Sequence, residues 1–92
     1  CESGLGKNLG VDGIKSLSTT FKLIGSSQVL YSLWKVDDKL TYEFMKEFYK
    51  NLKNHKEYSK ALRITKLNFI KSNNPKFNDP FVWAAFVIIG GE

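Results

Sequence analysis

The 92-residue chain carries 14 Lys+Arg against 9 Asp+Glu, a formal net charge of +5, one cysteine at position 1 and one histidine, His55. This length holds one domain or part of one, and 42% hydrophobic with 25% charged residues is globular composition, not that of a disordered tail. A lone cysteine and a lone histidine exclude a disulfide framework and a Cys/His zinc site, so neither metal nor cofactor is expected.

In chain order, Gly4, Gly6, Gly10 and Gly13 punctuate a loop able to adopt positive φ. Ile14, Leu17, Phe21 and Ile24 follow at helical spacing and predict an amphipathic helix ending at Gly25. Gln28 to Trp34, rich in β-branched and aromatic residues and preceded by Gly25-Ser26-Ser27, reads as a strand. Asp37-Asp38 supplies an N-cap, since a carboxylate accepts hydrogen bonds from the free amides of a first helical turn. The helix it opens places Thr41, Phe44, Met45, Phe48, Tyr49 and Leu52 on one broad face.

Asn54-His55 reads as a break, and Tyr58 to Lys71 as a third helix with Tyr58, Ala61, Leu62, Leu67, Phe69 and Ile70 for burial. Ser72 to Pro80 is a polar loop with two prolines. The apolar run Phe81 to Ile89, bounded by Pro80 and Gly90-Gly91, predicts a strand buried on both faces, with Trp83 and Phe86 in the core. It falls far short of the ~20 residues that span a membrane as a helix. The order helix, strand, helix, helix, strand indicates an α/β layered fold. Two strands make a poor sheet, so the sheet is expected to be incomplete and residues 1–92 to form the C-terminal portion of a single larger domain.

Apart from Arg63 the basic residues are lysines. Base readout draws on Arg, Asn and Gln in a compact patch, whereas the lysines at 39, 46, 50, 53, 56 and 60 fall on solvent faces of the expected helices. The charge therefore reads as a solvated surface, with neither nucleic acid nor membrane as a partner. Lone-cysteine usage fits a reducing, cytoplasmic compartment.

Chemistry concentrates at Cys1. In Cys1-Glu2-Ser3-Gly4-Leu5-Gly6 a thiol stands before a turn of small residues, which lets backbone amides approach a substrate and a base reach the sulfur. Downstream come Ser32-Leu33-Trp34-Lys35-Val36-Asp37-Asp38, the run Phe48 to Leu52 (FYKNL), Ala61-Leu62-Arg63, and Trp83 to Gly90 (WAAFVIIG). Together, in this order, these motifs resemble the CHAT family of caspase-like cysteine peptidases, relatives of caspases and separases. The resemblance runs from Cys1 to Gly90. Ser3 stands where the family has threonine, Val11-Asp12 varies the glycine-rich turn, and Phe81-Val82 separates the matching Pro80 and Trp83.

The resemblance implies a caspase-like three-layer sandwich, of which this chain is the C-terminal half. It implies a cysteine endopeptidase with Cys1 as nucleophile and with a partner histidine in a preceding His-Gly segment, so that the N-terminal half of the domain and a protein or peptide substrate are the expected partners. His55, in a Lys/Asn-rich turn, reads as a surface residue and not as that base. Ser32, Leu33, Trp34 and Val36 become candidates for contact with an extended peptide. Trp34 reads equally as a core or lid aromatic. Asp38 has two readings, a helix N-cap with Asp37 sharing the task, or a carboxylate that selects a basic residue before the scissile bond, as in separase-like relatives. Two other functions fit a leading cysteine, a catalytically inactive caspase-like scaffold and a bacterial lipoprotein acylated at Cys1. The downstream motifs give the second of these no support.

Overall fold

The computed structural model describes residues 20–90. Cys1, the glycine-rich stretch after it and the first part of the expected helix lie outside the described residues. The described residues divide into two units, a sheet unit of residues 20–35 and 86–90 and a helical unit, Val36–Ala85. The chain mixes helices with a small antiparallel sheet, compatible with the α/β class.

The sheet unit holds β1 (Thr20–Lys22), β2 (Gln28–Ser32) and β3 (Phe86–Gly90) in the order β1-β2-β3. Both pairings are antiparallel, with Phe21 opposite Leu30, Leu30 opposite Ile88, and Ser32 opposite Phe86. The helix expected to run to Ile24 is replaced at Thr20–Lys22 by β1. Thr20 and Phe21 favour extended backbone. Gly25, at φ +74°, allows a tight turn in which the Ser26 N–H donates to the Leu23 carbonyl at 3.1 Å. Ile24, assigned above to a buried helical face, is 92% exposed at this turn, while Leu23 is buried.

The run Phe81 to Ile89 is not one strand. Asp79 caps a short helix through its carboxylate, which accepts from the Phe81 N–H at 3.0 Å, and Pro80 occupies the first turn, where its missing N–H costs nothing. Only from Phe86 does the chain become extended. β3 is buried at Phe86 and opens to solvent by Ile89, so it is not covered on both faces along its length.

In the helical unit, α1 (Asp38–His55) and α2 (Tyr58–Ile70) form a hairpin, followed by α3 (Pro80–Trp83). α1 begins where predicted and continues through Asn54-His55, the expected break. It ends at Lys56, a non-glycine residue at φ 60° whose N–H donates to the Leu52 carbonyl at 2.7 Å. Phe44, Met45, Phe48 and Asn51 are buried along α1, and Ala61, Leu62, Thr65 and Phe69 along α2. Tyr49, Leu67 and Ile70, expected in the core, are 49%, 39% and 42% exposed. Their spacing matches a helical face, but the hairpin covers only a narrower stripe and fills one α2 position with Thr65. The Phe44 ring meets Phe69 edge-on at 4.9 Å between centroids, and Phe77 stacks on Phe69 at 5.0 Å. Phe44 and Phe48 are fully buried, each contributing about 1.5–3 kcal/mol by leaving water.

Candidate functional site

The nucleophile candidate, Cys1, lies outside the described residues. The peptide-contact candidates are distributed over both units. Ser32 closes β2 at 2% exposure, and its hydroxyl donates to the Trp34 carbonyl across two residues. The side chain is thus turned into the local backbone, fixing the bend as the strand ends. Leu33 is 41% exposed and Trp34 half-buried, so both offer apolar surface to solvent.

In the helical unit, Val36 is buried, and its carbonyl accepts from the Thr41 hydroxyl at 3.3 Å. The capping role first read for Asp38 falls to Asp37. The Asp37 backbone is non-helical (φ −46°, ψ 139°), and its carboxylate accepts from the N–H groups of Lys39 at 3.1 Å and Leu40 at 3.3 Å. Asp38 is already the first helical residue. It is exposed, with its charge in the first turn, where the positive end of the helix stabilises it. His55 is exposed in the last turn of α1, as expected of a surface histidine.

A cavity of about 500 Å³ lies within the helical unit, lined by Asp37, Lys39, Leu40, Glu43, Asn74, Lys76 and Phe77. Of the sequence candidates, none lines it. Three of its polar side chains are locally engaged: Asp37 caps α1, Glu43 pairs with Lys46 at 3.4 Å, and Asn74 accepts from the Lys76 backbone N–H at 2.9 Å. It converges no nucleophile and base. No sequence signal marks it, because Phe77, one of its lining residues, lies inside a stretch read as polar loop.

No cluster of three or more His, Cys, Asp or Glu able to hold a metal occurs among the described residues. None of the described helices is long and apolar enough to cross a membrane.

Helices with a small antiparallel sheet are compatible with the α/β class. The family model of the CHAT domain matches residues 1–91, and the chain belongs to that family. No curated protein and no solved structure gives a significant match. The CHAT family is associated with caspase-like, peptidase-related domains.

Proposed function

We propose that the chain provides the nucleophile and part of the peptide-binding surface of a cysteine endopeptidase. The observation that carries this reading is the family match over residues 1–91, which includes the Cys1-Glu2-Ser3-Gly4-Leu5-Gly6 turn. The Cys1 thiolate attacks the scissile carbonyl carbon. A histidine from the preceding part of the same domain protonates the leaving amine as the C–N bond breaks. Water then cleaves the thioester, releasing the carboxylic acid and restoring the thiol. The Cys1 backbone amide and the amide of an upstream glycine hold the developing oxyanion. On this reading the domain is a caspase-like three-layer sandwich.

Substrate contacts follow from the disposition of each candidate. Leu33 and Trp34 present apolar surface to an extended peptide. Ser32 and Val36, both buried, act through the backbone they hold in place. Asp38, exposed in the first turn of α1, selects a basic residue before the scissile bond by charge and bidentate hydrogen bonding. The test is cleavage of a fluorogenic peptide set by the complete domain. Hydrolysis after Arg or Lys, lost in Cys1→Ala and strongly reduced in Asp38→Asn, supports the reading. Activity that persists in Cys1→Ala contradicts it.

A further inference from the structure

The hairpin of the helical unit separates charge. Three contacts set its register: Phe44 with Phe69 at 4.9 Å, Glu47 with Asn68 at 2.8 Å, and Asn51 with Thr65 at 3.0 Å. Glu43 and Glu47 therefore lie toward the open end of the hairpin, and residues 52–64 surround its turn. That tip holds Lys53, Lys56, Lys60 and Arg63 against Glu57 alone, with Lys50 just before it. All five basic side chains are exposed. The five lie within the single segment 50–63, and the hairpin register leaves Lys53, Lys56, Lys60 and Arg63 without Glu43 or Glu47 beside them.

Helix stability does not account for the cluster. Lys53 favours the negative end of α1. Lys60, by contrast, sits in the first turn of α2, where a positive charge opposes the positive helix end. That turn contains no acidic residue, and the Glu57 side chain makes no cap hydrogen bond. Lys50 with Lys53 on α1, and Lys60 with Arg63 on α2, are like-charge neighbours at a spacing that brings side chains together on a helix surface. Local rules broken without a local gain point to a partner that supplies the missing negative charge.

We propose that this tip, formed by Lys50, Lys53, Lys56, Lys60 and Arg63, docks an acidic segment of a partner protein. Four of the five cations are lysines, flexible point charges without the bidentate fork that Arg brings to phosphates and base edges. Single-stranded nucleic acid needs successive aromatic faces for stacking. Here Tyr58 is half-buried, and Tyr49 packs edge-on against Phe48 at 5.4 Å. Carboxylates along an extended or helical acidic stretch meet the charge requirement and need no stacking platform. The surface is independent of the Cys1 chemistry, so failure of the peptidase reading leaves it standing.

The experiment is fluorescence anisotropy of the purified protein with a labelled Asp/Glu-rich peptide at low salt, about 50 mM, and again at physiological salt. The tip variant Lys53→Gln/Lys56→Gln/Lys60→Gln is compared with a distal variant, Lys39→Gln/Lys71→Gln/Lys76→Gln, that removes the same charge elsewhere. Circular dichroism verifies that both keep their helices. The expected result is salt-sensitive binding weakened by about tenfold or more in the tip variant and by less than about twofold in the distal one. Absence of binding overturns the proposal, as do equal losses in both variants, which would mark a net-charge effect. Tighter binding of a single-stranded oligonucleotide or of anionic vesicles than of the peptide also overturns it.

Discussion

The side-chain amide of Asn51 on α1 donates to the hydroxyl of Thr65 on α2 at 3.0 Å, with both side chains buried. The Thr65 hydroxyl in turn donates a hydrogen bond to the Ala61 carbonyl at 2.7 Å, and the Asn51 amide also donates to the Glu47 carboxylate at 3.4 Å. The two helices are thus joined by a polar tie inside an otherwise aromatic and aliphatic interface. An apolar contact would tolerate sliding, whereas this one specifies a single register.

Removing one partner is therefore worse than removing both. Thr65→Val removes the shorter of the two acceptors of the buried Asn51 amide, leaving only Glu47 at 3.4 Å, and is expected to cost about 1–3 kcal/mol. Asn51→Leu combined with Thr65→Val is expected to cost less than the sum of the single changes. Urea unfolding of the two single variants and the double variant closes the cycle, and strict additivity would refute the coupling.

Asp37 and Asp38 separate cap from candidate ligand. Asp37→Ala removes the acceptor of the Lys39 and Leu40 amides and is expected to lower stability by about 1 kcal/mol. Asp38→Asn, which removes a charge but no cap, is expected to cost only a few tenths of that, about 0.3 kcal/mol. Thermal unfolding of the two variants distinguishes them. A larger loss in Asp38→Asn would return the cap to that residue.

Gly90 is required by close approach. Its φ is +124°, and a Cβ there would stand 2.6 Å from the Ser27 carbonyl oxygen, a backbone atom with little freedom to yield. Gly90→Ala is expected to destabilise the sheet unit by about 1–3 kcal/mol, read as faster amide exchange in β2 and β3. Gly25, equally left-handed at φ +74°, has open space around its Cβ position, so Gly25→Ala is expected to cost strain alone and less in total.

Burial holds the Lys66 ammonium below the ordinary lysine value of 10.5. The unfolded chain therefore binds this proton more tightly than the folded one. The penalty is full below the depressed folded value and fades as pH rises toward 10.5. Lys66→Met, which keeps the stem and removes the charge, is expected to raise the unfolding midpoint at neutral pH. Its advantage over wild type is expected to shrink as pH rises into the lysine range. A variant less stable than wild type at neutral pH would contradict this account.

Legibility in the sequence followed the strength of local signals. α1 was readable because its Asp37 cap and its helical periodicity agree, with Phe44, Met45 and Phe48 buried as read and Tyr49 the exception. β1 was not, since Phe21 and Ile24 fit a helical face in spacing alone, and only the Gly25 turn with its pairing to β2 decides otherwise. α3 was hidden by uniform hydropathy: Asp79-Pro80 is a helix-start signature, but the apolar run after it reads as one strand. The candidate site was legible as motif. Its geometry was less so, because the chemistry of Asp37 against Asp38 depends on which residue first takes helical backbone, a question that residue type leaves open. The basic tip was legible as a run of basic residues from 50 to 63, but only the hairpin register shows that Glu43 and Glu47 lie away from it.

The central claim concerns Cys1, and covalent labelling tests it most directly. The complete domain is treated with a peptidic electrophile bearing a basic residue next to its reactive carbon, and the adduct is located by mass spectrometry. The account predicts a single adduct on Cys1, blocked by prior incubation with a cleavable peptide and absent in Cys1→Ala. An unlabelled Cys1 in a folded domain, or labelling that peptide does not compete, would contradict it.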